Sequence, residues 1–135
     1  MKRALLAIAL GAGFYLPVKA MAADPEVIVY YFHGNARCAS CYKLEQYTQE
    51  AVAGNFKAEV ASGEVVFSPV NVEQKENAHF VGDYQLYTKS VVVSRREGAK
   101  ELSHEVLMEA WEYLGNKPKF IEYVTGRIRA SLRKE

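Results

Sequence analysis

After the amino-terminal segment, the first unbroken apolar run is Val27-Ile28-Val29-Tyr30-Tyr31-Phe32, β-branched or aromatic throughout. Such a run, without polar alternation, predicts a central strand covered on both faces. His33-Gly34-Asn35 breaks it. From Cys41 the period changes. Leu44, Thr48, Ala51, Val52 and Phe56 fall at helical spacing, on a stripe that places Cys41 on the buried side and Cys38 one turn earlier, nearer solvent. Residues 57–63 read as a fraying continuation that stops at Ser62-Gly63. Val65 to Val72 is a second strand. Pro69 within it lacks an N–H, which predicts either a position needing no ladder bond or a bulge.

Phe80, Val81 and Tyr84 predict a short helix over 74–87, and Val91-Val92-Val93 a third strand. Arg95-Arg96-Glu97-Gly98 turns into a short fourth strand around Lys100 to Leu102. Leu107, Trp111 and Leu114 place one apolar face on a helix from Glu105 to Leu114, read as core packing. Asn116 and Pro118 supply the N-cap and first turn of a last helix carrying Phe120, Val124 and Ile128. The order is strand, helix, strand, helix, strand, strand, helix, helix. A parallel βαβ unit followed by a hairpin and a covering helix predicts an α/β three-layer sandwich around a four-stranded mixed sheet.

The amino terminus reads as an export signal rather than as part of this fold. Lys2 and Arg3 precede the uncharged apolar stretch Ala4 to Val18, and Ala20-Met21-Ala22 offers small residues where a signal peptidase reads. Cleavage after Ala22 is expected, leaving residues 23–135 as one small domain in the periplasm or outside the cell. The apolar stretch is shorter than the roughly 20 residues that span a bilayer, so no transmembrane anchor is expected. Loss of Lys2, Arg3 and Lys19 leaves 14 Lys+Arg against 16 Asp+Glu, a formal charge of −2. That balance gives no reason to expect a nucleic-acid partner. The last helix is locally basic, with Lys117, Lys119, Arg127, Arg129, Arg133 and Lys134 against Glu122 and Glu135. Cations near a helix C-terminus complement its dipole, which accounts for most of this.

The chain has two cysteines, Cys38 and Cys41, three apart, where the first strand hands over to the first helix. A C-x-x-C at a helix start is the layout of a thiol–disulfide exchange site, because unpaired helix N–H groups and the macrodipole stabilise a thiolate there. Export makes both the disulfide and the dithiol form accessible. A purely structural Cys38–Cys41 bridge would close so short a loop that it yields at most about 2 kcal/mol. Two thiolates are also half of a tetrahedral zinc or copper site, or a trivalent arsenic or copper(I) site. His33, His79 and His104 lie in separate elements, and no second C-x-x-C supplies the remaining ligands.

Tyr30-Tyr31-Phe32-His33-Gly34, Arg37-Cys38-x-x-Cys41, Glu45 and Tyr84-x-Leu86-Tyr87-Thr88-Lys89-Ser90 together resemble the thioredoxin-like superfamily. More narrowly they resemble a bacterial family labelled nitrophenyl-compound nitroreductase subunit, over most of residues 26–133. The resemblance implies a thioredoxin-like fold, Cys38 as exposed nucleophile and Cys41 as buried resolving thiol. It also implies substrate docking beside Arg37, Thr88 and Ser90. The chain departs from the thioredoxin pattern at two positions. Ser90, preceded by Lys89, stands where thioredoxins carry a cis-proline, and Phe32 or its neighbour stands where they bury an acid.

Arg37 and Lys89 are cations that would favour a Cys38 thiolate. His33 is placed in sequence to accept a proton, or else is a strand-end residue bonded to nearby backbone. Glu45 either replaces the missing acid or pairs with a neighbouring cation. The functional expectation is an exported thiol–disulfide oxidoreductase that needs no organic cofactor, since the dithiol carries two electrons. Its partner would be a protein or small-molecule thiol or disulfide, with a membrane electron donor in the reductant case. The competing readings are a copper, zinc or arsenic binding protein through the same pair, and a non-catalytic thioredoxin-like subunit.

Overall fold

A computed structural model describes residues 24–133 of the protein. The expected signal segment 1–22 lies outside the described residues, as do Lys134 and Glu135. The elements are β1 (Val27–His33), α1 (Ala39–Asn55), α2 (Lys57–Ser62), β2 (Val65–Asn71), α3 (His79–Asp83), β3 (Ser90–Glu97), β4 (Lys100–Val106) and α4 (Lys117–Leu132). Short 3₁₀ turns cover Lys75–Asn77 and Met108–Trp111. The sheet runs β2-β1-β3-β4, with β1 parallel to β2 and antiparallel to β3, and β4 antiparallel to β3. This is the mixed four-stranded α/β arrangement expected from the sequence, and it is consistent with a thioredoxin-like fold.

The apolar run of β1 fills two cores because its side chains alternate across the central strand. Val27, Val29 and Tyr31 join Leu44, Ala51 and Val52 of α1 and Phe120, Val124 and Ile128 of α4 on one face. Tyr30 and Phe32 join Val92, Tyr84 and Phe80 on the other. Glu101 of β4 closes the second layer at its polar edge. It accepts the Tyr84 hydroxyl at 2.5 Å, the Ser94 hydroxyl at 2.5 Å and His104 Nδ1 at 2.9 Å. Among the described residues no helix is long and apolar enough to cross a membrane.

Four boundaries differ from the sequence expectation, each for a physical reason. The helix does not fray past Phe56; the backbone there leaves helical space (φ −131°, ψ 40°), its ring is buried, and a separate α2 follows. The helix expected over 74–87 is a 3₁₀ turn plus the five-residue α3. Asn77 donates to the Asn71 carbonyl at 3.0 Å and ties the turn back to β2, while Gln85 at φ 53° swings the chain away. The strand expected at Lys100–Leu102 continues to Val106, and the helix expected from Glu105 is the turn Met108–Trp111. Pairing with β3 (Val92↔Val106, Val93↔Glu105) and the Leu107 N–H bond to the Val91 carbonyl, 2.8 Å, override the helical spacing. Of the apolar face expected there, Leu107 is buried in the first core, and Trp111 and Leu114 pack against it. Pro69 takes the first alternative. β2 has one neighbour, so alternate residues face outward, and its register runs unbroken through Tyr31↔Pro69.

Candidate functional site

Cys38 is the N-cap of α1, with extended backbone (φ −103°, ψ 170°), and its sulfur accepts the Cys41 N–H at 3.3 Å. A hydroxyl or carboxylate commonly fills this position; here a sulfur lies at the helix N-terminus. Cys38 is exposed, whereas Cys41 is 1% exposed. The two are joined as a disulfide across a Cα–Cα distance of 5.0 Å. An accessible leading sulfur and a covered second one are thus set by helical phase alone.

Three side chains hold this helix start. Tyr31, fully buried under it, donates its hydroxyl to the Cys41 carbonyl at 2.8 Å. Burial pushes the Tyr31 phenol up, and the nearby Arg37 only partly opposes this. Arg37 pairs with Glu45, one turn beyond Cys41, and its guanidinium lies 4.4 Å from the centre of the Tyr42 ring. The Glu45 hydrogen bond raises the Arg37 pKa further above its already high value, so this cation is permanent beside the thiol pair. Glu45 is therefore the partner of Arg37, spanning the loop from before Cys38 to after Cys41.

The loop ahead of the pair is fixed from the β2 side. The His33 carbonyl accepts the Val72 N–H at 2.9 Å, and Asn71 Nδ2 donates to Asn35 Oδ1 at 2.7 Å. The Glu73 carboxylate accepts the Asn35 N–H. It lies so close to Gly34 that a Cβ there would collide with it, which explains a glycine at that position.

His33 ends β1 with its ring stacked on Tyr31, 5.6 Å between centroids. Its Nδ1 lies 2.9 Å from the Gly34 carbonyl, which only accepts, so Nδ1 carries the hydrogen and Nε2 is the free basic atom of the neutral ring. Phe32 is 1% exposed within the second core. Ser90 opposes it across the β1–β3 ladder and donates its hydroxyl to the Thr88 carbonyl at 2.9 Å. The Lys89–Ser90 peptide is trans.

Apart from Ser90, which is buried in β3, the expected site residues fall into two groups. Arg37, Cys38, Cys41 and Glu45 form one cluster at the start of α1. His33, Thr88 and Lys89 line a neighbouring cleft of about 260 Å³. Among the described residues no group of three or more His, Cys, Asp or Glu is arranged to hold a metal ion.

Two contributors escaped the sequence reading. Tyr31 carries only a strand signal in the pattern, although a buried tyrosine hydroxyl usually finds a hydrogen-bond partner. Trp111 donates its indole N–H to the Lys89 carbonyl at 2.9 Å and so ties the Met108–Trp111 turn to the segment before β3. No local signal announces that contact.

No family model matches the chain, and no curated protein does. A solved structure described as that of a malarial protein aligns over 69% of this chain and 93% of its own, at 14% identity and a TM-score of 0.41. A likeness at that level carries no functional argument.

Proposed function

We propose that the protein is an exported, thioredoxin-like thiol–disulfide oxidoreductase in which Cys38 attacks and Cys41 resolves. The observation that carries this is the asymmetry of the pair: one sulfur exposed at a helix N-cap, the other buried three residues on, the two already bonded to each other.

In the reducing direction, the Cys38 thiolate attacks one sulfur of a partner disulfide. A Cys38–partner mixed disulfide forms and the first partner thiolate leaves. Cys41, deprotonated, then attacks Cys38 Sγ, the second partner thiolate leaves, and the Cys38–Cys41 bond forms. Two electrons pass to the partner, and its two thiolates take up protons. The oxidising direction is the reverse. His33, five residues before Cys38, is the candidate acceptor for the thiol proton, and the charge of Arg37 favours the thiolate state.

Replacing Cys38 by Ser is expected to abolish turnover of an insulin or small-molecule disulfide. Replacing Cys41 by Ser should instead accumulate mixed disulfides, visible as thiol-sensitive adducts by mass spectrometry. Equal, mild losses from both substitutions would overturn the exchange reading in favour of a structural bridge.

A further inference from the structure

The cleft lined by His33, Thr88 and Lys89 also has an apolar wall, for which thiol exchange gives no use. It opens on the α3 side of the sheet, and its apolar wall is Phe32, Val72, Val81 and Leu86. Phe32 belongs to the second core and Val72 and Leu86 pack against it, while Val81 of α3 is 39% exposed. At about 260 Å³ it falls below the ~300–1,000 Å³ of sites for drug-sized ligands. The size suits one ring or one branched chain with a short tail.

The polar groups at the rim decide the charge of the occupant. Glu73 also lines the cleft and keeps its charge, but its carboxylate is held against the Gly34–Asn35 loop, where it accepts the Asn35 N–H. Lys89 has no such tie: its carbonyl is taken by Trp111, and its ammonium has no hydrogen bond or ion pair among the described residues. The half-buried Lys89 therefore presents an unspent positive charge beside an apolar wall. A carboxylate on the ligand answers that charge, and an amine would oppose it.

We propose that this cleft binds a small apolar monocarboxylate, its body against Phe32, Val72, Val81 and Leu86 and its carboxylate on the Lys89 ammonium. Trp111 makes the site observable. It is the only tryptophan in the chain, and its indole is bonded to the backbone of Lys89. An occupant drawn to Lys89 is expected to shift its emission.

The test titrates 3-phenylpropionate into the purified oxidised protein, followed by Trp111 fluorescence and by calorimetry. Saturable one-to-one binding in the low-millimolar range is expected for a probe this small. Its uncharged amide should bind about fivefold more weakly, the gain a partly exposed ion pair gives. Lys89→Met should erase the preference for the acid while leaving amide binding intact, which also shows that the variant is folded. Val81→Glu should weaken the acid at least tenfold by adding a negative charge to the wall. Absence of saturation, or equal affinity of the unsubstituted protein for acid and amide, would overturn the proposal. The probe carries no sulfur, so the outcome is independent of whether Cys38 exchanges disulfides.

Discussion

Tyr31 links the buried sheet to the cysteine-bearing turn through a single hydroxyl. Its bond to the Cys41 carbonyl reaches the helix where no backbone group of the strand can, and its ring also supports His33. Tyr31→Phe keeps the packing and removes only the hydroxyl. The expected cost is about 0.5–1.5 kcal/mol in urea unfolding, the ordinary net worth of one protein hydrogen bond. A larger loss would mean that the hydroxyl also holds the β1–α1 turn in place. At this scale the sequence was uneven. Cys38 and Cys41 were legible because their spacing and their place after an apolar run fix helical phase. The pairing of Glu45, on the first helix, with a nearby cation was also foreseeable, and Arg37 just ahead of the helix supplies it. The loop lock between Gly34, Asn35, Asn71 and Glu73 was not, since its members are about 36 residues apart and meet only because β1 and β2 run parallel.

At the scale of elements, the sheet is knitted to α3 by Glu101. Burial alone would raise its pKa, but hydrogen bonds from Ser94, Tyr84 and His104 outweigh this and hold it below the usual glutamate value of 4.5. A carboxyl whose folded pKa is depressed contributes stability above its unfolded pKa and loses it as pH falls through the folded value. The protein is thus expected to weaken on acidification below about pH 4.5. Glu101→Gln should be less stable at neutrality and show a shallower acid limb, checked by urea midpoints over that range. An unchanged acid limb would remove Glu101 from the account. The same strand explains where the sequence misled. Glu105-Val106-Leu107 fits the start of a helix by local spacing, yet ladder bonds to β3 and the bond from Leu107 to Val91 extend the strand. The long-period runs of β1, α1 and α4 were readable because burial and local propensity agree there. Around α3 and β4 the two disagree, and tertiary pairing wins.

For the whole molecule, the two cores on either side of β1 decide what the disulfide is worth. The apolar faces of α1 and α4 are buried against the sheet without help from the bridge. The bridge closes a loop between residues three apart, so opening it should cost at most about 2 kcal/mol. The reduced protein is expected to keep its fold and cooperative unfolding, checked by circular dichroism and urea curves with and without dithiothreitol. That stability in both states is what a reusable two-electron carrier requires. Pro69 bears on how such molecules behave in a crowd. An outer margin of sheet normally offers a row of donors along which an incoming strand can zip, the first step toward fibrils. On the β2 margin one donor is missing and the side chain there stands in solvent, so lateral growth from that side is interrupted mid-strand.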